Sequence, residues 1–509
     1  MGSSPSKQAQ SDAQKSLTRL SKVSEKHFYP DTATPDLATL PQLQSLPDID
    51  GLDLNGDNNE KDIANLLSEW RANFLDSPKN RLALAALSRS DYQSLLIQDD
   101  RYNDQNPAVF THVIKYDGQK DTPVTNQRSS GRCWLFASTN VFRVQLIKSS
   151  AIKPKDFQFS QAYLFFYDKL EKASYFLEQI IDTADEDLDS RLVQELLKAP
   201  VNDGGQWDMV VNLVEKYGLV PQDVFPDSWN AQNSGHLNYL LTNKLREYGL
   251  ALRKLIQTEK PTPELLLSLR RQYTQNVYNI LATSLGVPPA ANETFKWDYW
   301  TIDGKPQQVT TTPIKFYRDN LKHPASQYFS LINDPRNDYK QLYTVDRLQN
   351  ISGGRPITYV NADISELKKA AIKMIQNNEP VFFGSDVGQF GDRATGILDP
   401  KSWDYDLGFN TSLGMNKEQR VSTGASSMTH AMVITGVHLE DGVPVKWKIE
   451  NSWGADTGKK GYFQMSDKWF DEYVFQVVSS AQYVPRELQQ VLKTKPNVLP
   501  LWDPMGALA

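Results

Sequence analysis

Apolar residues Ile63, Leu66, Leu67, Trp70 and Phe74 recur at i, i+3, i+4, i+7 and i+11, a spacing that predicts an amphipathic helix opening the ordered part of the chain. Residues 1–57 carry no such period; they are rich in Ser, Asp, Gln and Pro, with prolines at 5, 30, 35, 41 and 47, and read as a disordered arm. After Cys133 the run WLFASTNVFRVQLI contains neither Gly nor Pro and predicts a buried helix whose N-terminus lies at the cysteine; a second block, SQAYLFFYDKLEKASYFLEQII, starts at Ser160. Two long helices, HLNYLLTNKLREYGLALRKLIQ and PELLLSLRRQYTQNVYNILATSL, are separated by TEKPT, and FKWDYWTIDGKPQQVTT follows as a hairpin around Asp303-Gly304. From residue 365 a helix, ISELKKAAIKMIQNN, feeds the strand PVFFGSDV, and THAMVITGVHL, PVKWKIENSW and KGYFQMS supply further strands. The class is α+β, divided as a disordered arm (1–57), a helical half with Cys133 (58–235), an inserted helical arm and hairpin (236–364), a β-rich half (365–495) and a C-terminal tail (496–509).

With 509 residues the chain has the length of two to four domain-sized units. Its 55 basic and 61 acidic residues leave a net charge of -6, which provides no global attraction to nucleic acid or anionic membrane. The cluster Lys244, Arg246, Arg253, Lys254, Arg270 and Arg271 is interleaved with Glu247, Glu259 and Glu264 and reads as a solvated helical face. A single cysteine excludes an internal disulfide and favours a reducing compartment, with the cytoplasm as the expectation. No apolar run is long enough to span a bilayer and the N-terminus lacks the apolar core of a secretory signal, so a soluble protein is expected. Gly2 and Ser6 fit the short N-myristoylation pattern, the one route by which membrane contact is expected; an ordinary disordered Ser-rich start is the favoured reading. The stretch from Asp53 has the look of a calcium loop but carries Asn58 and Ala64 where a glycine and a glutamate are needed.

Cys133, the sole cysteine, sits in QRSSGRCWLF, a polar turn running straight into an apolar helix. A free thiol with a pKa of ~8.5 is only slightly ionised at neutral pH. A helix N-terminus contributes ~0.3–1 kcal/mol to an anion there, whereas an imidazolium partner lowers a thiol by several units. Of six histidines, His27 lies in the arm, and His112, His236 and His323 stand beside loops or helix starts. His430 opens a strand, and Asn451 stands at the end of the next, where antiparallel pairing brings the two together. His438 lies at the far end of its strand beside Glu440 and Asp441.

Gln127, then GRCW, then HA opening a strand, then NSWG, resembles the signature of papain-like cysteine peptidases. The wording TPVTNQRSSGRCWLFA, SQAYLFFYDKLEKA, DGGQW, SLINDPR, MTHAMVITG, IENSWG and LPLWDPMGALA is similar to the bleomycin hydrolase family within that group, from about residue 60 to 509. Two departures from ordinary papain stand out: Ser130-Gly131-Arg132-Cys133-Trp134 lacks the first cysteine of the usual motif, and His430 lies far beyond the usual ~130–150 residues after the nucleophile. The resemblance implies a papain-like core of a helical and a β-barrel-like subdomain with a large helical insertion. It implies Cys133 as nucleophile, His430 as base and acid, Asn451 as its orienting partner, and Gln127 with the Cys133 N–H as oxyanion hole. Trp453 would cover the His–Asn bond, Gly204 and Gly205 would pair with substrate, and the carboxylate of Ala509 would hold a free α-amine. The expected activity is aminopeptidase cleavage of peptides and aminoacyl amides with a free N-terminus, including the amide of bleomycin, by a cytoplasmic homohexamer with no metal or organic cofactor. Two other readings are a ring-shaped nucleic-acid-binding or regulatory protein and a transglutaminase-like acyltransferase; the latter orients its histidine with Asp, where this chain has Asn451.

Overall fold

The computed structural model describes residues 63–98, 109–116, 123–153, 157–321 and 323–508. The expected arm 1–57, Gly2, the stretch from Asp53 and Ala509 lie outside them. Two compact units are distinguished. The smaller, Met1–Ser77 with Ser412–Gly414, contains helix α1 (Ile63–Asp76), which forms as its periodicity predicts and has no buried residue. Everything below concerns the larger unit.

Helix α2 (Cys133–Ser150) is buried almost from end to end. Helix α3 (Gln161–Asp182) begins at Ser160, whose hydroxyl accepts from the Tyr163 N–H as an N-cap. The paired helices α4 (Gly235–Glu259) and α5 (Pro263–Leu285) are separated where expected: Lys260 in the left-handed region closes the first, and Thr262 caps the second with Pro263 in its first turn. A face of α4 (Leu237, Leu241, Leu245, Leu252) and one of α5 (Val277, Leu281, Leu285) are buried, both helices pack on α3, and Tyr248 stacks on Tyr273 between them at 3.9 Å. The predicted hairpin pairs Phe295–Trp300 with Pro306–Thr311.

The principal sheet is built from β1 (Tyr328–Ile332), β2 (Gln341–Val345), β3 (Tyr359–Asn361), β4 (Val381–Ser385), β5 (His430–Glu440), β6 (Val443–Glu450), β7 (Tyr462–Ser466), β8 (Val474–Ser480) and β9 (Asn497–Leu499). Their order is β9-β2-β3-β1-β8-β4-β5-β6-β7, continued by the short strands Ile397–Leu398 and Gly391–Asp392. Strands β1 and β4 are wholly buried, so both of their faces are covered and they read in the sequence as continuous apolar runs.

One expectation is corrected. Residues 328–361, assigned to the inserted arm, supply β1, β2 and β3 and belong to the main sheet, so the helical insertion ends with the helix Pro313–Asn320. These strands are only three to five residues long and pair with β8 and β9, far away in sequence; a local pattern carries no sign of that. The tail begins with β9, parallel to β2, and passes into a 3₁₀ turn at Pro504–Gly506. The free edge of β2 supplies hydrogen-bonding groups that the tail satisfies, Pro500 ends the strand, and Asp503 caps the turn by accepting from the Met505 N–H.

The helical half and the sheet are joined through a buried ion pair, Arg143 of α2 with Glu450 at the end of β6, at 2.9 Å. Both side chains are nearly inaccessible to solvent. Removing one partner of such a pair leaves a charge in a low-dielectric site. Arg143→Met is therefore expected to lower unfolding free energy by about 3–5 kcal/mol, and the double variant with Glu450→Gln to lose clearly less. Urea midpoints of the two variants measure this; equal losses would show that the residues do not act as a pair.

Candidate active site

Helix α2 starts at Cys133 with Arg132 as N-cap residue and no capping side chain. The turn before it is fixed by other means. Arg132 is fully buried, donates to both carboxylate oxygens of Asp227 at 2.8 and 3.1 Å and to the Ser130 hydroxyl at 2.9 Å, and lies over the rings of Phe136 and Phe165. The Gly131 N–H donates to Asp203 at 2.9 Å. The thiol of Cys133 is buried at the first turn of α2, near the backbone amides of Ala431, Trp134 and Cys133 itself, which favour its anion against burial. Ala431 is the residue after His430 on β5, against which α2 packs.

His430 is the first residue of β5, opposite Ser385 on β4. Pairing of β5 with β6 places Val433 opposite Glu450, so His430 and Asn451 lie at the same end of the hairpin. Asn451 Oδ1 stands 2.9 Å from His430 Nε2 and also accepts from the Ser452 N–H at 2.8 Å. An oxygen that already accepts one hydrogen bond sets the tautomer: Nε2 carries the proton, and Nδ1 keeps its lone pair. Trp453 covers the imidazole, with ring centroids 4.9 Å apart, and its own ring lies under the Arg393 guanidinium at 4.0 Å. Burial pushes the Cys133 thiol up to about 11. Burial, with the Arg393 charge adding to it, lowers the His430 imidazole to about 4 against the hydrogen bond to Asn451. His438 is elsewhere, half-buried and 3.5 Å from Glu440.

Gln127 is held at three points. Its N–H donates to the Ser452 carbonyl at 2.8 Å, its Oε1 accepts from the Ser452 hydroxyl at 2.6 Å, and its Nε2 donates one hydrogen to the Ser130 carbonyl at 2.6 Å. That leaves the second Nε2 hydrogen for a further acceptor.

The segment from Asp203 to Gln206 packs against the same turn. The Asp203 carboxylate receives Lys169 at 2.6 Å, the Gly131 N–H, the Ser234 hydroxyl and Asn238 Nδ2 at 2.8 Å, and its carbonyl accepts from Trp134 Nε1 at 2.7 Å. Burial alone would raise this carboxyl, but Lys169 and the hydrogen bonds hold it far below the ordinary range. Gly204 is half-buried and its carbonyl accepts from Lys172, itself paired with Asp168. Gly205 is buried, and a Cβ there would lie 2.5 Å from the Trp134 ring, so packing demands a glycine at that position. Next to it Gln206 Nε2 donates to the Ala507 carbonyl at 2.8 Å, which brings the tail to this side of Cys133. Arg336, bridging Asp334 and Asp503 at 2.8 Å each, and Arg191 over the Trp502 ring anchor the tail's approach.

Sequence reading missed Asp203, Lys169, Ser452 and Arg393. Asp203 lay within a quoted motif, yet a carboxylate beside two glycines looks like a turn, and Lys169 looks like a solvated helix residue. Only packing makes them buried partners. The basic cluster of α4 and α5 makes intramolecular contacts: Arg246 binds the Leu197 carbonyl, Arg253 the Thr183 carbonyl, Arg270 pairs with Glu178, and Lys244 with Glu247. Among the described residues no helix is long and apolar enough to cross a membrane.

Comparison with known proteins bears on the same residues. Residues 63–506 match the model of the Peptidase C1-like family. The chain is 43% identical over 451 residues to cysteine proteinase 1, mitochondrial, of Saccharomyces cerevisiae, covering 87% of this chain and 92% of that protein. It is 44% identical over 412 residues to bleomycin hydrolase of Rattus norvegicus, covering 79% and 89%. The crystal structure of PepW from Lactobacillus rhamnosis HN001 superposes with a TM-score of 0.84 at 41% identity, over 89% of this chain and all of that one. A buried thiol at a helix start, a strand-borne histidine tied to an asparagine, and likeness across nearly the whole described chain agree: the protein belongs to the Peptidase C1-like family and is a papain-like cysteine peptidase.

Proposed function

We propose that the protein is a cysteine aminopeptidase that releases N-terminal residues from peptides and aminoacyl amides through an acyl-enzyme on Cys133. The observation that carries the chemistry is the division of labour on the His430 ring: Nε2 is tied to Asn451, which leaves Nδ1 as the proton acceptor, and the thiol sits beside the adjoining residue, Ala431. His430 Nδ1 takes the thiol proton, and the sulfur attacks the scissile carbonyl. The oxyanion is received by the free Nε2 hydrogen of Gln127 and the Cys133 N–H, where one donor is typically worth about 10²–10³ in rate. The imidazolium then protonates the leaving amine, and a water deprotonated by His430 hydrolyses the thioester. Burial disfavours a lone thiolate and a lone imidazolium alike. Transfer within the pair creates both at once, and their attraction at short range in a site of low dielectric opposes that penalty.

Exopeptidase specificity is supported by the course of the tail. Gln206 holds the Ala507 carbonyl next to Gly204 and Gly205, two residues from a buried Met505 and two from Ala509. A terminal carboxylate there pairs with a substrate's α-ammonium and occupies the subsites that a longer acyl portion would need. Homohexameric assembly and a cytoplasmic site belong to the same reading, supported by the family resemblance and, for the compartment, by the single free cysteine; the name of the yeast relative puts that protein in mitochondria. Membrane contact belongs to this reading only if Gly2 is myristoylated, and it is then reversible.

Two experiments test it. Cys133→Ala and His430→Ala should each lower kcat/KM for an aminoacyl fluorogenic amide by at least about 10³-fold, and Asn451→Ala by clearly less, since the base is kept and only its orientation suffers. Turnover by Cys133→Ala at the wild-type rate would end the proposal. Bleomycin and N-acetylated aminoacyl amides complete the panel: the intact enzyme should cleave blocked substrates poorly, and a chain lacking Met505–Ala509 should cleave them better while still reacting with iodoacetamide at Cys133. An undiminished preference for a free amine in the truncated chain would remove the tail from the explanation.

A further inference from the structure

Arg393 is an exposed cation in an unusual position. Its guanidinium lies 4.0 Å from the centroid of Trp453, which also lies 4.9 Å from the His430 ring, so indole separates an arginine from the histidine. Arg393 makes no ion pair and no side-chain hydrogen bond among the described residues. Asp392 next to it does not neutralise it, because that carboxylate accepts from the Ala394 and Thr395 N–H groups and the Thr395 hydroxyl. The turn is braced: the Gly458 N–H donates to the Arg393 carbonyl at 3.1 Å and the Gly396 N–H to the Asp392 carbonyl at 2.9 Å. Gly396 has φ +76° and lies so close to Gly458 that a Cβ would be 2.8 Å from its Cα. A guanidinium held on a rigid aromatic platform, with its hydrogen-bonding fork unoccupied, suits a carboxylate.

The side on which it stands decides which carboxylate. Asp203–Gln206 and the tail occupy one side of Cys133, the side of the acyl portion. Trp453 and Arg393 extend from His430, the group that protonates the leaving amine. Two stacking steps of 4.9 and 4.0 Å separate the imidazole from the guanidinium. An extended chain advances ~3.3–3.6 Å per residue, so a leaving group of about two residues brings its terminal carboxylate to that distance. We infer that Arg393 forms an anion subsite on the leaving-group side, which receives the C-terminal carboxylate of a short peptide and directs the enzyme to tripeptide-sized substrates. The inference rests on the peptidase reading above, with His430 as proton donor. The Arg393 charge also reaches the imidazole, which it holds lower than burial alone would.

The test compares a tripeptide bearing a free C-terminal carboxylate with the same tripeptide as its carboxamide, using the full chain. The wild type should favour the acid by about tenfold in kcat/KM, mainly through KM, and added salt should erode the preference. Arg393→Met keeps a flexible side chain over Trp453 without the charge and should bring the ratio close to one; Arg393→Lys should restore part of it. Equal rates for acid and amide in the wild type, or a preference unchanged in Arg393→Met, would overturn the subsite. Hydrolysis of an uncharged aminoacyl amide by the wild type separates the two readings: if that substrate is cleaved while acid and amide tripeptides do not differ, the aminopeptidase stands and the subsite falls.

Discussion

A helix that begins inside a protein must find partners for its first amide groups, and α2 begins at Cys133 without a capping side chain. The amides of Cys133 and Trp134 stand close to the thiol and favour its anion. The turn before the helix is held from outside by two buried charged pairs, Arg132 with Asp227 and Asp203 with Lys169. Buried ion pairs contribute little net stability compared with apolar packing, yet losing one partner is costly. Their effect here is to leave the nucleophile turn a single arrangement. The position of the thiol, the direction of the Gln127 amide and the course of the Gly204–Gly205 segment all follow from that arrangement.

The sheet supplies the other half of the site by an equally simple device. Strand β5 is bracketed by β4 and β6, so the register of two ladders determines where its first residue lies. His430 and Asn451 meet because both stand at one end of the same hairpin, and Ser452 next to Asn451 reaches across to Gln127. The anchor of the Gln127 amide, the hydrogen-bond partner of the histidine and its aromatic cover thus share a three-residue segment, Asn451 to Trp453. Arg143 on α2 and Glu450 just before Asn451 fasten this segment to the nucleophile helix.

The inserted helices are connected to the site rather than merely appended to it. Ser234, immediately before α4, and Asn238, in its first turn, donate to the same Asp203 carboxylate that holds the Gly131 N–H. One side chain therefore joins the turn before Cys133, the Asp203–Gln206 segment and the root of the helical arm. In the unfolded chain these parts are separated by long intervals, and the insertion accounts for much of the distance between Cys133 and His430.

Local pattern was enough for the long helices, whose caps, prolines and 3.6-residue period are written in adjacent residues, and for the strands THAMVITGVHL, PVKWKIENSW and KGYFQMS. The meeting of His430 with Asn451 was also legible, because both stand at the ends of strands that antiparallel pairing brings side by side. Beyond reach were the short strands 328–361, the parallel pairing of the tail and the boundary of the insertion, each of which depends on a partner remote in sequence. The buried roles of Asp203 and Lys169 were hidden for the same reason: a charged residue looks solvated until packing removes the water and sets an opposite charge beside it. So the sequence by itself determined the helices, the later strands and the residues that those strands carry to one end of a hairpin, since these follow from neighbours along the chain. Tertiary structure alone decided which charges are buried, which edge the tail covers and that Arg393 stands over Trp453, because those depend on distances through space.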